Sequence, residues 1–281
     1  MSVELRRMRR EDIPDGLRLC RAAGWNQLQQ DWEVFLSANP DGCRVAVADS
    51  ERVVGSVATI RYGRAFSWIA MVLVDPAYRG AGIGSRLLRE AVTLLDDMKS
   101  IRLDATPAGQ NVYAPFGFRE EYALQRMQCD ACTVELRPDP RLRRITDRDM
   151  DAIARRDLEV FGADRRVLLE TFRRHAPHYA WVFGDDHIDG YVFGRPGHTF
   201  EHVGPLVAVD QVTAHCLISA CLSACGQRPF VIDVPLRDGW ISSLESMHFT
   251  VQRPFTRMCH GELPSASNES QIFAIAGPEF G

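Results

Sequence analysis

Lysine is almost missing from this chain: Lys99 stands alone among 33 basic residues, and arginine supplies the rest of the positive charge. No Gly-Lys-Ser/Thr triplet exists, which excludes the phosphate loop that depends on one. No apolar run has bilayer length, and the opening "MSVELRRMRREDIPDG" has no apolar stretch of signal-peptide length, so a cytoplasmic protein is expected. A net charge of −4 gives no electrostatic reason to expect a nucleic acid or an anionic membrane as partner. Histidine is absent before residue 150; all eight lie later, and His175 and His178 flank Pro177, which disfavours a helical metal-ligand pair. No metal is expected. The eight cysteines, without a secretion signal, are expected as reduced thiols. One CxxC occurs, Cys129 to Cys132, inside an alternating run that would put its two thiols on opposite faces of a strand. Cys216, Cys221 and Cys225 fall in an apolar helical pattern and read as small buried side chains.

What is present is ordinary material for two cores: 281 residues, 46% of them hydrophobic. The chain also repeats itself. "LRRMRREDIPDGLRL" (5–19) resembles "LRRITDRDMDAIARR" (142–156), and "FREEYALQRM" (118–127) resembles "FTVQRPFTRM" (249–258). Asp75 of "VLVDPAYRG" can be laid on Asp210 of "LVAVDQVTA" at a nearly equal offset. A duplicated unit follows, 1–136 and 141–281, joined through "RPDPRLRR", where two prolines favour an extended connector.

The first unit reads as strand 3–8, a helix after Glu11-Asp12, a short helix at 28–37 and a hairpin turning at Asp49-Ser50-Glu51. Strand 67–74, a glycine loop, helix 83–97, strand 101–105, a short helix near 108–115 and a strand pair from 118 to 136 complete it. The second unit repeats the order, with a hairpin turning at Asp185-Asp186-His187, and its tail ends in an apolar run expected to dock as an extra strand. The fold class expected for each unit is α/β (α+β), a mixed sheet flanked by helices.

The loop Arg79-Gly80-Ala81-Gly82-Ile83-Gly84-Ser85 has three possible readings. The lysine-dependent phosphate loop is excluded. A dinucleotide fingerprint would need glycine where Ser85 stands, and would open the first strand rather than follow the fourth. The third is a strand, then R-x-x-G-x-G, then a helix, where main-chain N–H groups and the positive helix end face a pyrophosphate. An ordinary glycine-rich turn is the bland alternative.

With those residues in view, the first unit resembles the GNAT superfamily of acetyl-coenzyme A-dependent N-acetyltransferases. "VLVDPAYRGAGIGSRLL" is similar to its cofactor motif, and "NVYAPFGF" (111–118) to its later tyrosine segment. "AGWNQLQQDW", "LDATPAG" and the second half resemble a tandem subgroup, two GNAT-like domains each with a mixed, mostly antiparallel sheet. The resemblance implies an acetyl-coenzyme A donor, with backbone contacts from Val72, Leu73 and Val74 and a pyrophosphate held by Arg79, Gly80, Ala81, Gly82, Ile83, Gly84 and Ser85. Tyr113 matches the residue that protonates the leaving thiolate or orients the thioester. Thr106 stands where many members have asparagine, which shortens or removes one cofactor contact.

The implied reaction is direct attack of an amine on the thioester in a ternary complex, and the acceptor expected is a primary amine of a small metabolite. A non-catalytic acetyl-coenzyme A sensor is the alternative; it would not need Tyr113. Asp104 is the candidate base, with capping of the turn before Pro107 as its other reading. Asp31, Glu33, a carboxylate acting through water, or His202 from the second unit also stand open. Trp25 and Trp32 either wall an acceptor pocket, with Asn26 and Gln27 as polar guides, or fill the core. The second unit places Ala214, Leu217 and Ser219 at the positions of Arg79, Gly82 and Gly84, and Leu244 at that of Tyr113. It is expected to bind no coenzyme.

Overall fold

The computed structural model describes residues 3–48, 51–130, 132, 139–185, 187–224, 228–263 and 268–281. Two compact units emerge, and they do not follow chain order to the end: Met258–Leu263 and Phe280 belong with Met1–Glu120, and the remainder forms the second unit.

The first unit runs β1 (Val3–Arg7), α1 (Ile13–Ala22), α2 (Gln29–Ala38), β2 (Arg44–Ala48), β3 (Val53–Tyr62), β4 (Phe66–Val74), α3 (Ile83–Leu94), β5 (Ser100–Ala105) and α4 (Pro107–Tyr113). Strands β1 to β4 pair in sequence as antiparallel neighbours, and β5 joins β4 in parallel. In α3, Ile83, Leu87, Leu88 and Ala91 are buried, the spacing of a helix with one apolar stripe. They pack on Val54, Val57, Ile69, Leu103 and Phe118. The far end of the chain completes this unit: Ser100 Oγ lies 3.3 Å from Cys259 Sγ, and the Glu262 N–H donates to the Lys99 carbonyl at 2.8 Å.

Strand β6 (Arg119–Cys129) carries the chain from one unit to the other. The second unit then repeats the order: β7 (Leu142–Arg144), α5 (Met150–Phe161), α6 (Arg166–His175), β8 (Trp181–Phe183), β9 (Gly190–Arg195), β10 (Glu201–Ala208), α7 (Gln211–Ser223), β11 (Phe230–Pro235), α8 (Asp238–Ser246), β12 (Thr250–Gly261) and β13 (Ile272–Ala274). Its sheet runs β6-β11-β10-β9-β8-β7, parallel only between β10 and β11.

The internal repeat reaches individual ion pairs. Arg6 grips Asp12 through two 2.8 Å bonds, and Asp12 accepts from the Arg9 N–H at 2.7 Å. At the corresponding place Arg143 grips Asp149 at 2.9 and 2.8 Å, and Asp149 accepts from the Thr146 N–H at 2.7 Å.

Several expectations change. The helix from 83 stops at Leu94 rather than 97. The first strand of the expected pair 118–136 runs Arg119–Cys129; the second falls largely on residues 131 and 133–138, which lie outside the described residues, as do Asp49, Ser50, Asp186 and Cys225. The CxxC pair is not split across a strand. The chain bends at Asp130 and brings Cys132 back, so that Cys129 and Cys132 form a disulfide with Cα atoms 5.9 Å apart. The expectation of reduced thiols on opposite faces fails here because the alternation stops with the strand. The tail does supply an extra strand, β13, antiparallel to β10.

Candidate functional site

The site begins with a fault in β4. Its register against β3 slips between Ser56 and Ala58, so Met71 and Val72 together face the single residue Val57. Met71 takes φ of 55°, left-handed and costly for a side chain of its size, and the strand bulges there. Ser56 Oγ donates to the Met71 carbonyl at 2.8 Å. On its other edge β4 pairs with β5 only at Ser67–Ile101 and Trp68–Arg102. Beyond that point the two parallel strands run on without pairing, and the edge of Val72, Leu73 and Val74 is open to an extended ligand.

The glycine loop follows directly. Asp75 accepts from the Ala77 N–H at 3.1 Å and from Arg18 and Arg52 at 2.8 and 2.9 Å. Burial opposes its ionisation, yet the Ala77 N–H and the two guanidiniums hold its carboxyl below the ordinary value. The anchored aspartate starts a short turn at Pro76–Tyr78, and the loop beyond is exposed through Arg79, Gly80, Ala81 and Gly82. Arg79 Nε donates to the Val74 carbonyl at 3.3 Å. Gly80 and Gly82 have φ of 80° and 73°, and a Cβ built at either would meet nothing within 4 Å. Gly82 is also the N-cap of α3, and no side chain caps that helix. Free first-turn N–H groups, a positive helix end and empty space above two glycines fit a diphosphate. Ile83 turns into the core, while Gly84 and Ser85 are half-buried on the first turn.

Helix α4 closes the other side. Thr106 is its N-cap and accepts from the Gly109 N–H at 3.2 Å. Tyr113 folds back along the helix: a Cβ on Gly109 would lie 2.9 Å from Tyr113 Cε2 and 3.3 Å from Thr106 Oγ1. Glycine at 109 therefore makes room for the ring. Tyr113 is half-buried against Phe118, centroids 6.0 Å apart, and burial pushes its phenol up to about 12. It stays protonated at any working pH and is a hydrogen-bond donor. Asp104 is half-buried near the end of β5.

The structure supplies a residue that sequence order concealed. His260, on the returning end of β12, stands in the first unit with its ring 5.5 Å from Phe118 and its Nδ1 buried without a partner among the described residues. Counting residues 1–136 alone found no histidine in this unit; only strand pairing across most of the chain length brings one in.

Between α1 and α2, Arg21 holds the connecting loop by donating to the carbonyls of Trp25 and Gln27 at 2.7 and 2.5 Å. Trp25 and Asn26 are half-buried on that loop. Trp32 is completely buried and lies under Gly16, the core alternative for that residue. Asp31 accepts from the Leu28 N–H at 2.7 Å, and Glu33 pairs with Arg10 at 2.6 Å, so each carboxylate already has a structural task.

The second unit differs at each corresponding point. Asp210 caps α7 and accepts from the Thr213 N–H at 2.8 Å, which uses the N–H groups that α3 leaves free. Strands β10 and β11 also part, pairing only from Glu201 to Val203, but β13 fills the gap. It pairs with β10 at Leu206 and Val207, and the Ile275 N–H donates to the Asp233 carbonyl of β11 at 2.9 Å. Leu244 is buried in the core. His202 is buried beside Asp233 within this unit. Among the described residues no cluster could hold a metal ion, and no helix is long and apolar enough to cross a membrane.

Two family profiles match, each described as "Acetyltransferase (GNAT) domain", over residues 40–120 and 153–274. The chain is 29% identical over 92% of its length to a holothin acyltransferase from Pseudoalteromonas sp. (strain SANK 73390), covering 88% of that protein. Its fold matches the crystal structure of a putative acetyltransferase from Pyrococcus horikoshii with a TM-score of 0.81 at 22% identity, over 99% of this chain and 96% of that one. It also matches a tandem GNAT protein from the clavulanic acid biosynthesis pathway, with a TM-score of 0.66 at 16% identity, over 94% of this chain and all (100%) of that one. A parted β4–β5 pair followed by an uncapped glycine-started helix, matched in one half and blocked in the other, is how this chain belongs to the GNAT acyltransferases, as a member with two GNAT domains that uses an acyl-coenzyme A donor and an amine acceptor.

Proposed function

We propose that this protein transfers an acetyl group from acetyl-coenzyme A to a primary amine of a small metabolite, by direct attack in a ternary complex, at one site in the first unit. The observation that carries the reading is the opening between β4 and β5 beyond Trp68, which runs directly into the exposed loop from Arg79 to Gly82. Bound donor supplies an acyl carbon activated as a thioester.

The chain's own groups do the rest. The open edge of Val72, Leu73 and Val74 pairs with the amides of the pantetheine arm as a neighbouring strand would. Arg79 and the N–H groups from Gly80 to Ser85 receive the pyrophosphate. A main-chain N–H near Val74 faces the thioester oxygen and stabilises charge developing there. The Tyr113 phenol hydrogen-bonds the departing sulfur; its raised pKa suits donation of a hydrogen bond better than release of a free proton. Thr106, occupied as a helix cap, holds α4 in register and makes at most a short contact with the donor. Asp104 takes the amine proton, directly or through water. Trp25 and Asn26 line the acceptor side. The Pseudoalteromonas relative is named for one compound, holothin, which supports an acceptor of defined chemistry.

The test is thiol release with acetyl-coenzyme A over a panel of small amines, using the full chain and Tyr113→Phe. Turnover of at least one amine that drops about a hundredfold in the variant supports the reading; consumption of no thioester by any amine overturns it.

A further inference from the structure

The second unit holds a buried group of charges that coenzyme chemistry does not use. Arg126 of β6 makes a bidentate pair with Asp233 of β11, at 2.8 and 2.7 Å. His202 Nε2 of β10 lies 3.0 Å from the same carboxylate. Arg195 of β9 pairs with Glu279 and donates to the Ala276 carbonyl at 2.7 Å. All five residues are at most 6% exposed. Gly277, with φ of 112°, passes so close that a Cβ would lie 2.7 Å from His202 Cε1 and 2.8 Å from Arg195 Nη2.

Arg253 of β12 faces this group and has no such partner. Its guanidinium stacks on the Phe255 ring at 5.1 Å, while that of Arg126 stacks on the same ring at 5.3 Å. Arg253 Nε is buried without a hydrogen-bond partner, and no carboxylate among the described residues pairs with it. Burial, then the like charge of Arg126, pushes Arg253 down to about 10, against the pull of Asp233 and Glu279. Burial and the charge of Arg195 push His202 below 6.5 despite Asp233, so the imidazole is neutral at pH 7. Arg126, Arg195 and Arg253 then face Asp233 and Glu279, which leaves one positive charge uncompensated. A half-buried guanidinium without a counterion is costly, and its planar fork suits a carboxylate.

We propose that Arg253, held against Phe255 beside Arg126, is a binding site for the carboxylate of a small molecule. A monoanion fits because the excess is a single charge and Asp233 and Glu279 would repel a dianion. The carboxylate belongs to an effector bound by the second unit, and this assignment does not rest on the function proposed above.

The experiment is calorimetric titration of the full chain and of Arg253→Gln with acetate and benzoate. Binding to the wild type that weakens at least about tenfold in the variant is the expected result. No carboxylate binding to the wild type, or equal binding to the variant, overturns the proposal. The ligand-free variant should melt no lower than the wild type, since it loses an unpaired, half-buried charge; a lower melting temperature assigns Arg253 a structural role and also overturns it. Coenzyme A titrated in parallel separates the two readings: its failure to bind the wild type would remove the proposed function and leave the carboxylate result standing.

Discussion

Ser56 and Met71 are joined across β3 and β4 by one hydrogen bond, from the serine hydroxyl to the methionine carbonyl at 2.8 Å, where the register slips. Both residues are buried, so the bond is shielded from water and holds Met71 at φ of 55°. Ser56→Ala should cost about 1 kcal/mol of stability, the value of a neutral buried bond. Because the bulge opens the edge of Val72 to Val74, the same variant should bind coenzyme A several-fold more weakly, as calorimetry would show. Weaker folding with unchanged coenzyme affinity would mean the bulge does not shape the site.

Gly82→Ala places a side chain at φ of 73°, which costs about 1–2 kcal/mol, and puts a methyl group over the first turn of α3. Coenzyme A affinity should fall at least about tenfold, with a smaller drop in melting temperature. At the same place in the second unit, the N-cap of α7, Asp210 already accepts from a first-turn N–H group, so the expected stoichiometry is one coenzyme per chain.

Tyr113 makes a pH prediction with a definite sign. Its phenol is raised from 10.0 to about 12 in the folded protein, so the fold holds that proton more tightly than the unfolded chain does. The resulting stability is complete below pH 10 and is lost as the pH climbs from 10 towards 12. Melting followed over that range should fall less steeply in Tyr113→Phe than in the wild type.

Asp149 gives the opposite sign. The Arg143 guanidinium, against the effect of burial and helped by Thr146, lowers its carboxyl from 3.8 to about 2. That stability is present above pH 4 and disappears as the pH falls from about 4 to about 2. Asp149→Asn should flatten the acid limb and cost about 1 kcal/mol at neutral pH, since the arginine is partly exposed and screened.

Phe273 of β13 packs edge-on against Trp240 at 5.1 Å, and its carbonyl accepts from Trp240 Nε1 at 2.9 Å. Phe273→Ala should cost about 3–5 kcal/mol by emptying a core position. Coenzyme stoichiometry should remain one, measured on the fraction that stays folded.

What could be read from the sequence was local. Apolar periodicity placed β4 and α3, and glycine spacing at 80, 82 and 84 placed the loop, because a few neighbouring residues determine each feature. The positive φ of Met71 was hidden, since methionine carries no signal for it and strand pairing imposes it. The blocking of the second slot by β13 was hidden too: an apolar tail announces a strand, not which gap it enters. His260 was missed for the same reason, as a residue far along the chain became a neighbour of Phe118 only through tertiary pairing.

The first unit contains Met258–Leu263, and it also contains Phe280, whose ring stacks on Phe35 at 5.2 Å and whose carbonyl accepts from Tyr62 Oη at 2.6 Å. During synthesis, residues up to Glu120 therefore leave the ribosome without the strand that flanks β5 or the ring that covers Phe35. The unit that carries the glycine loop is thus completed only after most of the second unit has been made, so a polypeptide stalled or cut before Met258 should emerge without donor-binding ability although every residue of that loop has already been made.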